Sequence, residues 1–241
     1  MRLRVCHLYP EHLNIYADRG NITVLRRRCE WRGITFQLHV CGPGERTPQA
    51  DVYYLGGGQD RDQRLIAGDL LKRAGDLAAA VRDGAGALAV CGGYQLLGHR
   101  YRGHAGDELR GIGLVDLDTV AGSRRMIGNI VLRCELVPGR SQLLVGFENH
   151  AGRTQLGAGL QPLGRVVHGY GNNGRDGQEG VQAGAVIGTY VHGPLLPRNP
   201  WLADHLISEA LRRRGLPDRL EPLGDELELE AQRVAERVAA G

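Results

Sequence analysis

Gly86-Ala87-Leu88-Ala89-Val90-Cys91-Gly92-Gly93-Tyr94-Gln95 sets a cysteine between a short apolar run and a helix-forming one. A cysteine that ends a buried strand and enters a helix through two glycines has the layout of a nucleophile elbow. Such a turn exposes the side chain at the carboxyl edge of a sheet, where open α/β proteins bind ligands. The helix N-terminus is expected to favour the thiolate and lower the cysteine pKa. Gly92 and Gly93 leave backbone N–H groups available for an oxyanion. The segment equally fits an inert cysteine buried at a strand end, because free cysteines are commonly buried. A second segment, Val186-Ile187-Gly188-Thr189-Tyr190-Val191-His192-Gly193-Pro194, also ends an apolar run, on His192. A lone histidine is more often structural or solvated. Two strand ends on one sheet edge, however, can bring Cys91 and His192 within hydrogen-bonding reach. A pair of that kind suits acyl transfer, in which sulfur attacks and imidazole moves the proton.

The surrounding sequence supplies elements able to hold such a pair. Leu3–Tyr9, Ile34–Val40, Asp51–Leu55 and Gly86–Val90 read as strands. Between them, Ile22–Arg32, with Asp18 and Asn21 as caps, and Gln63–Val81 read as helices, and Tyr94–Tyr101 as a short one. The alternation predicts an α/β fold with a mostly parallel twisted sheet and helices on both faces. Further on, Gly111–Leu117, Gly128–Leu136, Leu143–Phe147 and Arg165–Tyr170 look like strands. The five glycines from Gly169 to Gly180 mark a turn or loop. Ala185–Val191 returns to a buried-strand pattern, followed by a helix from about Asn199 to Arg214. From Asp225, Leu227, Ala231, Val234 and Val238 recur at helical spacing, so a C-terminal amphipathic helix over about 225–239 needs an apolar surface on this chain or a partner. With no repeat and no convincing linker, residues 1–241 read as one domain.

Composition narrows the chemistry. A formal charge of +3 is too small to point to nucleic acid, and Arg26-Arg27-Arg28 and Arg212-Arg213-Arg214 read as solvated helix faces. Five scattered cysteines without a Cys-x-x-Cys pair argue against a disulfide framework or a zinc knuckle. No signal peptide or apolar membrane span is evident, so a cytoplasmic location is expected. Lys72 is the only lysine, in Leu70-Leu71-Lys72-Arg73, and no G-x-x-x-x-G-K-[ST] loop exists. If the overall reaction consumes ATP, another chain is expected to use it.

These segments together resemble the class I glutamine amidotransferases. Of that family's approximate nucleophile motif G-x-C-x-G-x-Q, this chain matches Cys91, Gly93 and Gln95, with Ala89 in place of the first glycine. The resemblance implies a flavodoxin-like fold, Cys91 and His192 as the catalytic pair, and Gln95 against the substrate glutamine. It places Gly56-Gly57-Gly58 at the second oxyanion donor, so Gly57 and Gly92 are assigned the oxyanion hole; three glycines after a strand also fit a plain tight turn. Tyr16-Ala17-Asp18-Arg19-Gly20-Asn21, Gly56 to Arg61, Gly146-Phe147-Glu148-Asn149-His150, Gly169 to Asn173 and His192 to Asn199 are similar to the cobyric-acid-synthase-like branch. Within that branch they look most like GatD-type glutaminase subunits of lipid II isoglutaminyl synthases. The same likeness puts Arg125 at the glutamine carboxylate, a task its planar fork suits, and makes Asn149 a further substrate contact. An uninvolved surface Arg125 stays open.

The resemblance implies a heterodimer. This chain would hydrolyse L-glutamine without metal or cofactor of its own, and a Mur-ligase-like synthetase subunit (MurT) would hold ATP and Mg. The released ammonia would amidate the D-glutamate α-carboxyl of lipid II to D-isoglutamine. Rival readings are the same half-reaction with another acceptor such as a corrinoid, a cysteine peptidase or γ-glutamyl hydrolase, and a non-catalytic binding subunit. Many class I members carry a glutamate two residues after the histidine, where this chain has Pro194. The acids nearest the motifs, Asp18, Asp60 and Glu148, each have a local role as cap or turn residue available. The orienting carboxylate is therefore expected from the second subunit.

Overall fold

The computed structural model describes residues 1–15, 18–103 and 106–240; Tyr16 and Ala17, which open one of the motifs above, lie outside the described residues. The first half runs β1 (Arg2–Leu8), α1 (Arg19–Glu30), β2 (Thr35–Cys41), β3 (Val52–Leu55), α2 (Asp60–Lys72), α3 (Ala74–Arg82), β4 (Gly86–Val90) and α4 (Gly92–Leu97). The middle holds β5 (Arg100–Arg102), β6 (Glu108–Arg110), β7 (Leu117–Val137), β8 (Arg140–Leu156), β9 (Gly164–His168), β10 (Gln178–Glu179) and β11 (Val181–Ala183). Then come β12 (Val186–Thr189), α5 (Leu195–Arg198), α6 (Pro200–Arg213) and α7 (Glu226–Ala240).

One sheet has the order β11-β12-β4-β3-β1-β2, and only β11, at its edge, runs antiparallel. Its five parallel strands follow the 2-1-3-4-5 order of doubly wound flavodoxin-like folds. Side-chain alternation sorts the core into two layers. Leu3, Val5, Val52, Tyr54, Leu88 and Val90 face Ile22 and Leu25 of α1 and Leu202 and Leu206 of α6. Cys6, Leu8, Tyr53, Leu55, Ala87 and Ala89 face Ile66 and Leu70 of α2 and Leu77 of α3. Parallel strands covered on both faces need no polar side, which is why β3 (VYYL) and β4 (GALAV) read as runs without a charged residue. The register Leu55↔Ala89 and Val90↔Thr189 makes β3, β4 and β12 end level, so the chain leaves all three at one edge.

A second, mixed sheet, β10-β9-β7-β5-β6 with β8 on β7, lies beside that edge. Its spine is the long β7–β8 hairpin, interrupted by register shifts between Ala121 and Met126 and between Cys134 and Val137. The two sheets are tied by a bridge in which the His192 N–H donates to the Phe147 carbonyl at 2.7 Å and the Phe147 N–H donates back to the His192 carbonyl at 3.2 Å.

Several sequence expectations need correction. The single helix over 63–81 is two, broken at Arg73, whose buried guanidinium reaches Tyr9, Asp69 and the Gly42 carbonyl. The helix over 94–101 stops at Leu97, and Tyr101 lies in β5. No strand spans 111–117; β6 ends before it at Arg110, and β7 begins only at Leu117. Arg28 is not solvated: at 2% exposure it bonds Asp204 at 2.6 Å and Asp225 at 2.6 Å, as a charge buried this deeply requires. Helix α7 docks through Ala235 and Ala239 beside Val131 and Val145, while Gln232 bonds the Leu143 carbonyl. Of the two surfaces expected for its apolar stripe, this chain does not supply one, since Leu227 is 85% and Val238 63% exposed. Among the described residues no helix is long and apolar enough to cross a membrane.

Candidate active site

Cys91 follows β4 with φ 49° and ψ −103°, a left-handed backbone that a non-glycine residue rarely adopts. Strain of this kind costs roughly 1–3 kcal/mol and is kept where the surrounding fold enforces it. Here the Cys91 N–H donates to the Thr189 carbonyl at 2.8 Å and the Gln95 N–H to the Cys91 carbonyl at 2.9 Å. Glycines make room for the turn, since a Cβ on Gly93 would stand 2.7 Å from Leu55 Cβ, and one on Gly92 would stand 2.9 Å from the Gly58 nitrogen. The β3 and β4 loops therefore touch backbone to backbone.

Gly57 is the point of convergence. A Cβ added there would lie 2.9 Å from His192 Cε1, 3.2 Å from Asp18 Oδ2 and 3.5 Å from Cys91 Cβ. The nucleophile and base inferred from two distant segments thus meet over a third. Asp18 makes no side-chain cap on α1; its Oδ2 accepts the Gly57 N–H at 2.5 Å. Asn21 is not a cap either, because its Nδ2 donates to the Tyr54 hydroxyl and its Oδ1 accepts the Leu196 N–H. The other two acids near the motifs are also engaged. Asp60 accepts the Tyr101 hydroxyl at 3.2 Å, and Glu148 accepts the N–H groups of Tyr170 at 2.6 Å and Gly171 at 3.1 Å.

Protonation is set by burial. Desolvation, with a smaller contribution from the Asp18 charge, pushes the Cys91 thiol up to about 12. This reverses the expected lowering: α4 has only six residues, and its weak dipole and the Gly92 N–H do not outweigh the desolvation of the thiol at the floor of its cavity. Desolvation, reinforced by His150 and Arg125, lowers His192 to about 3. At neutral pH the pair is therefore a thiol and a neutral imidazole. Burial also raises Asp18 to about 7, against the pull of the Gly57 N–H and the Tyr54 hydroxyl.

Cys91 opens into a cavity of ≈ 490 Å³ lined from both sheets. From the loops and helices that follow β3 and β4 come Gly58, Asp60, Gln63 and Gln95; from the second sheet come Tyr101, Arg125, Asn149 and His150. Gln95 is locked, since its Oε1 accepts from Gln63 Nε2 at 3.0 Å and its Nε2 donates to the Tyr190 hydroxyl at 3.2 Å. Tyr190 continues to Thr154 at 2.7 Å and Thr154 to Thr119 at 2.8 Å, a buried chain crossing from one sheet to the other. Arg125 is exposed on β7 and held by Asn149, with Nε donating to its Oδ1 at 2.8 Å and Nη2 to its carbonyl at 2.9 Å. That leaves Nη1 and the outer edge of the guanidinium for an anion. His150 is 2% exposed and stacks on Tyr190, with Nδ1 bonded to the Gly152 carbonyl at 2.9 Å.

Sequence reasoning missed Gln63, which hid in a helical stripe, and the Asp18 contact, which a capping pattern masked. His150 was visible only as part of a motif segment. Among the described residues no group of three or more His, Cys, Asp or Glu side chains could hold a metal ion.

Comparison with known proteins gives likenesses in sequence and in fold. Residues 4–200 match the model of the CobB/CobQ-like glutamine amidotransferase domain. The chain is 38% identical over 234 residues to the lipid II isoglutaminyl synthase (glutamine-hydrolyzing) subunit GatD of Staphylococcus aureus, covering 96% of this chain and 94% of that one. Against the GatD subunit of Streptococcus pneumoniae it is 36% identical over 216 residues, 88% and 82% of the two chains. A cobyric acid synthase of Pelotomaculum thermopropionicum is 34% identical over 197 residues, 75% of this chain but 36% of that one. Among solved structures, PurLQS from Thermotoga maritima superposes with a TM-score of 0.58 at 19% identity, over 80% of this chain and 88% of that one. A glutamine amidotransferase from the same organism gives 0.52 at 14% identity, over 98% and 94%. Both likenesses concern the fold.

Proposed function

This chain belongs to the CobB/CobQ-like glutamine amidotransferase family, and from that membership we propose that it is the glutamine-hydrolysing subunit of a lipid II isoglutaminyl synthase. The observation that carries the reading is the near full-length likeness to GatD, which includes the tail beyond the shared domain. The likeness to cobyric acid synthase stops at about a third of that protein.

In the reaction, Cys91 Sγ attacks the side-chain amide carbon of L-glutamine while His192 takes the thiol proton. Because the resting pair is uncharged, that proton moves as the C–S bond forms rather than beforehand. The carbonyl oxygen becomes an oxyanion, for which the amides of Gly57 and Gly92 are the assigned donors. The C–N bond then breaks, and His192 returns the proton to the leaving ammonia. Water, deprotonated by His192, cleaves the γ-glutamyl thioester to give glutamate and the free thiol. Arg125, aimed by Asn149, receives the substrate α-carboxylate, and Gln95 forms the fixed wall beside it.

The chain works in the cytoplasm with a Mur-ligase-like synthetase subunit. That partner binds ATP and Mg, and uses the ammonia to convert the D-glutamate α-carboxyl of lipid II to D-isoglutamine. The test is reconstitution with such a partner, lipid II, glutamine and ATP-Mg, with products read by mass spectrometry. Amidated lipid II that disappears with Cys91→Ala supports the reading. Glutamine-dependent amidation of a corrinoid instead, with lipid II untouched, would replace it.

A further inference from the structure

Asp18 is a carboxylate in an unexpected place. Its side chain is fully buried, its Oδ2 accepts the Gly57 N–H at 2.5 Å, and its Oδ1 is buried with no hydrogen-bond partner among the described residues. The salt bridges among the described residues include none to it. A buried carboxylate with one strong donor and no cation is costly to keep charged. It stands on the same side of Gly57 as His192 and Cys91, within 3.5 Å of the point where a Gly57 Cβ would be.

That placement opposes the chemistry of the site. The oxyanion formed on thiol attack needs the Gly57 N–H, and in this structure the N–H already points at a carboxylate. A second negative group beside it also disfavours both the thiolate and the tetrahedral intermediate. We propose that Asp18 is a brake: its carboxylate holds the Gly57 amide out of the oxyanion hole, and turnover requires that this contact be released or its charge removed. The inference rests on the glutaminase reading above and adds a positioning residue to it. Asp18 acts on glutamine only through Gly57 and Cys91.

Release has a destination. Asp18 occupies the N-cap position of α1 yet makes no cap with its side chain, and the first-turn amides of that helix are what an N-cap aspartate ordinarily binds. Turning the carboxylate onto those amides would draw Oδ2 away from the Gly57 N–H. Charge loss is also close at hand, since burial has raised Asp18 to about 7. The groups facing it are the Gly57 amide and the Tyr54 hydroxyl, with Cys91 and His192 across Gly57.

The experiment compares the wild-type chain with Asp18→Asn, which keeps the shape and removes the charge. Iodoacetamide labelling of Cys91 is followed against pH by peptide mass spectrometry, alongside steady-state glutaminase kinetics. The brake requires the labelling inflection to fall by about one pH unit and kcat to rise about tenfold, with KM within about twofold. An unmoved inflection, or a lower kcat with Cys91 labelled as in wild type, would instead make Asp18 a tether of the Gly56–Gly58 turn and overturn the proposal. Should Asp18→Asn not fold, a structure of the wild-type chain carrying a chloroketone glutamine analogue on Cys91 decides. Asp18 off the Gly57 N–H upholds the brake, and Asp18 still on it refutes the brake. The labelling arm needs no glutamine turnover, so it stays readable where the chain alone hydrolyses glutamine poorly, and only failure of the reconstitution with the synthetase partner counts against the proposed function.

Discussion

The two sheets contribute to the pocket in different ways. The parallel sheet delivers Cys91, Gly57 and His192 from the ends of buried strands whose side chains are packed on both faces. The mixed sheet delivers the exposed Arg125 and the half-buried Asn149, with the buried His150 behind them, from a long hairpin. Groups that must meet with sub-ångström accuracy sit where the backbone is most constrained, and groups that greet a soluble substrate sit where charge is hydrated. The division predicts that the first sheet governs kcat and the second governs KM.

The strongest way to break this division is at its catalytic end. Cys91→Ala or His192→Ala should reduce glutaminase kcat by about a hundredfold or more, the scale of losing a covalent or acid–base catalyst. In the wild type, kcat/KM should not fall as pH drops through the ordinary histidine range near about 6.5. The sign follows from burial, which lowers His192 to about 3 and keeps it an unprotonated base through that interval. An acid limb centred on the ordinary value would show that His192 is solvated during turnover.

Gly57→Ala comes next. Its new methyl would stand 2.9 Å from His192 Cε1, closer than carbon atoms tolerate, so the ring must shift. A misplaced catalytic group typically costs on the order of tenfold to a hundredfold in kcat, and KM should change less. Wild-type kcat would mean that the three loops do not converge as described.

Arg125→Ala should act on the other parameter. A hydrogen bond to a charged group contributes about 1.5–3 kcal/mol, and the exposure of Arg125 argues for the lower part of that range. KM for glutamine should rise about tenfold, with kcat and iodoacetamide labelling of Cys91 close to wild type. A fall in kcat without a change in KM would assign this arginine to the chemistry and dissolve the contrast between the sheets.

The smallest effect is expected at the seam. Thr154→Val removes the hydroxyl that joins Tyr190 to Thr119 and should cost about 1 kcal/mol. For a chain of this size that lowers the melting temperature by about 2–4 °C. A loss of kcat as large as that for Gly57→Ala would show that the buried hydroxyl chain takes part in catalysis.

Local spacing announced the first sheet well because its strands are short, apolar and separated by glycine turns. Gly86–Val90 was readable to the residue, and the turn that follows it depends on glycines whose purpose is local. The features that were not legible depend on partners far away in the chain. Asp18 and Asn21 carry the side chains of helix caps, but Gly57 and Tyr54 claim them from 39 and 33 residues away. Arg73 breaks a run with good helical periodicity because Tyr9 and the Gly42 carbonyl capture its side chain. The full β7–β8 ladder escaped notice because the strand expected there starts only at Gly128, whereas β7 begins at Leu117 and pairs with β8 on both sides of the register shift between Ala121 and Met126. The lowered cysteine pKa expected from the elbow was wrong for a related reason: sequence displays the helix start but not the depth at which it lies.

Arg28 carries a consequence for the order in which the molecule can be completed. It belongs to the first helix, yet its guanidinium is gripped by Asp204 and Asp225, the latter 197 positions along the chain. During synthesis from the N-terminus, the parallel strands β1 to β4 can pair while this arginine still faces water. Its burial becomes favourable only once both carboxylates have been made. The first helix therefore cannot reach its final packing until the segment leading into the last one has emerged, and a ribosome stalled short of Asp225 would hold a chain whose oldest helix is still unsettled.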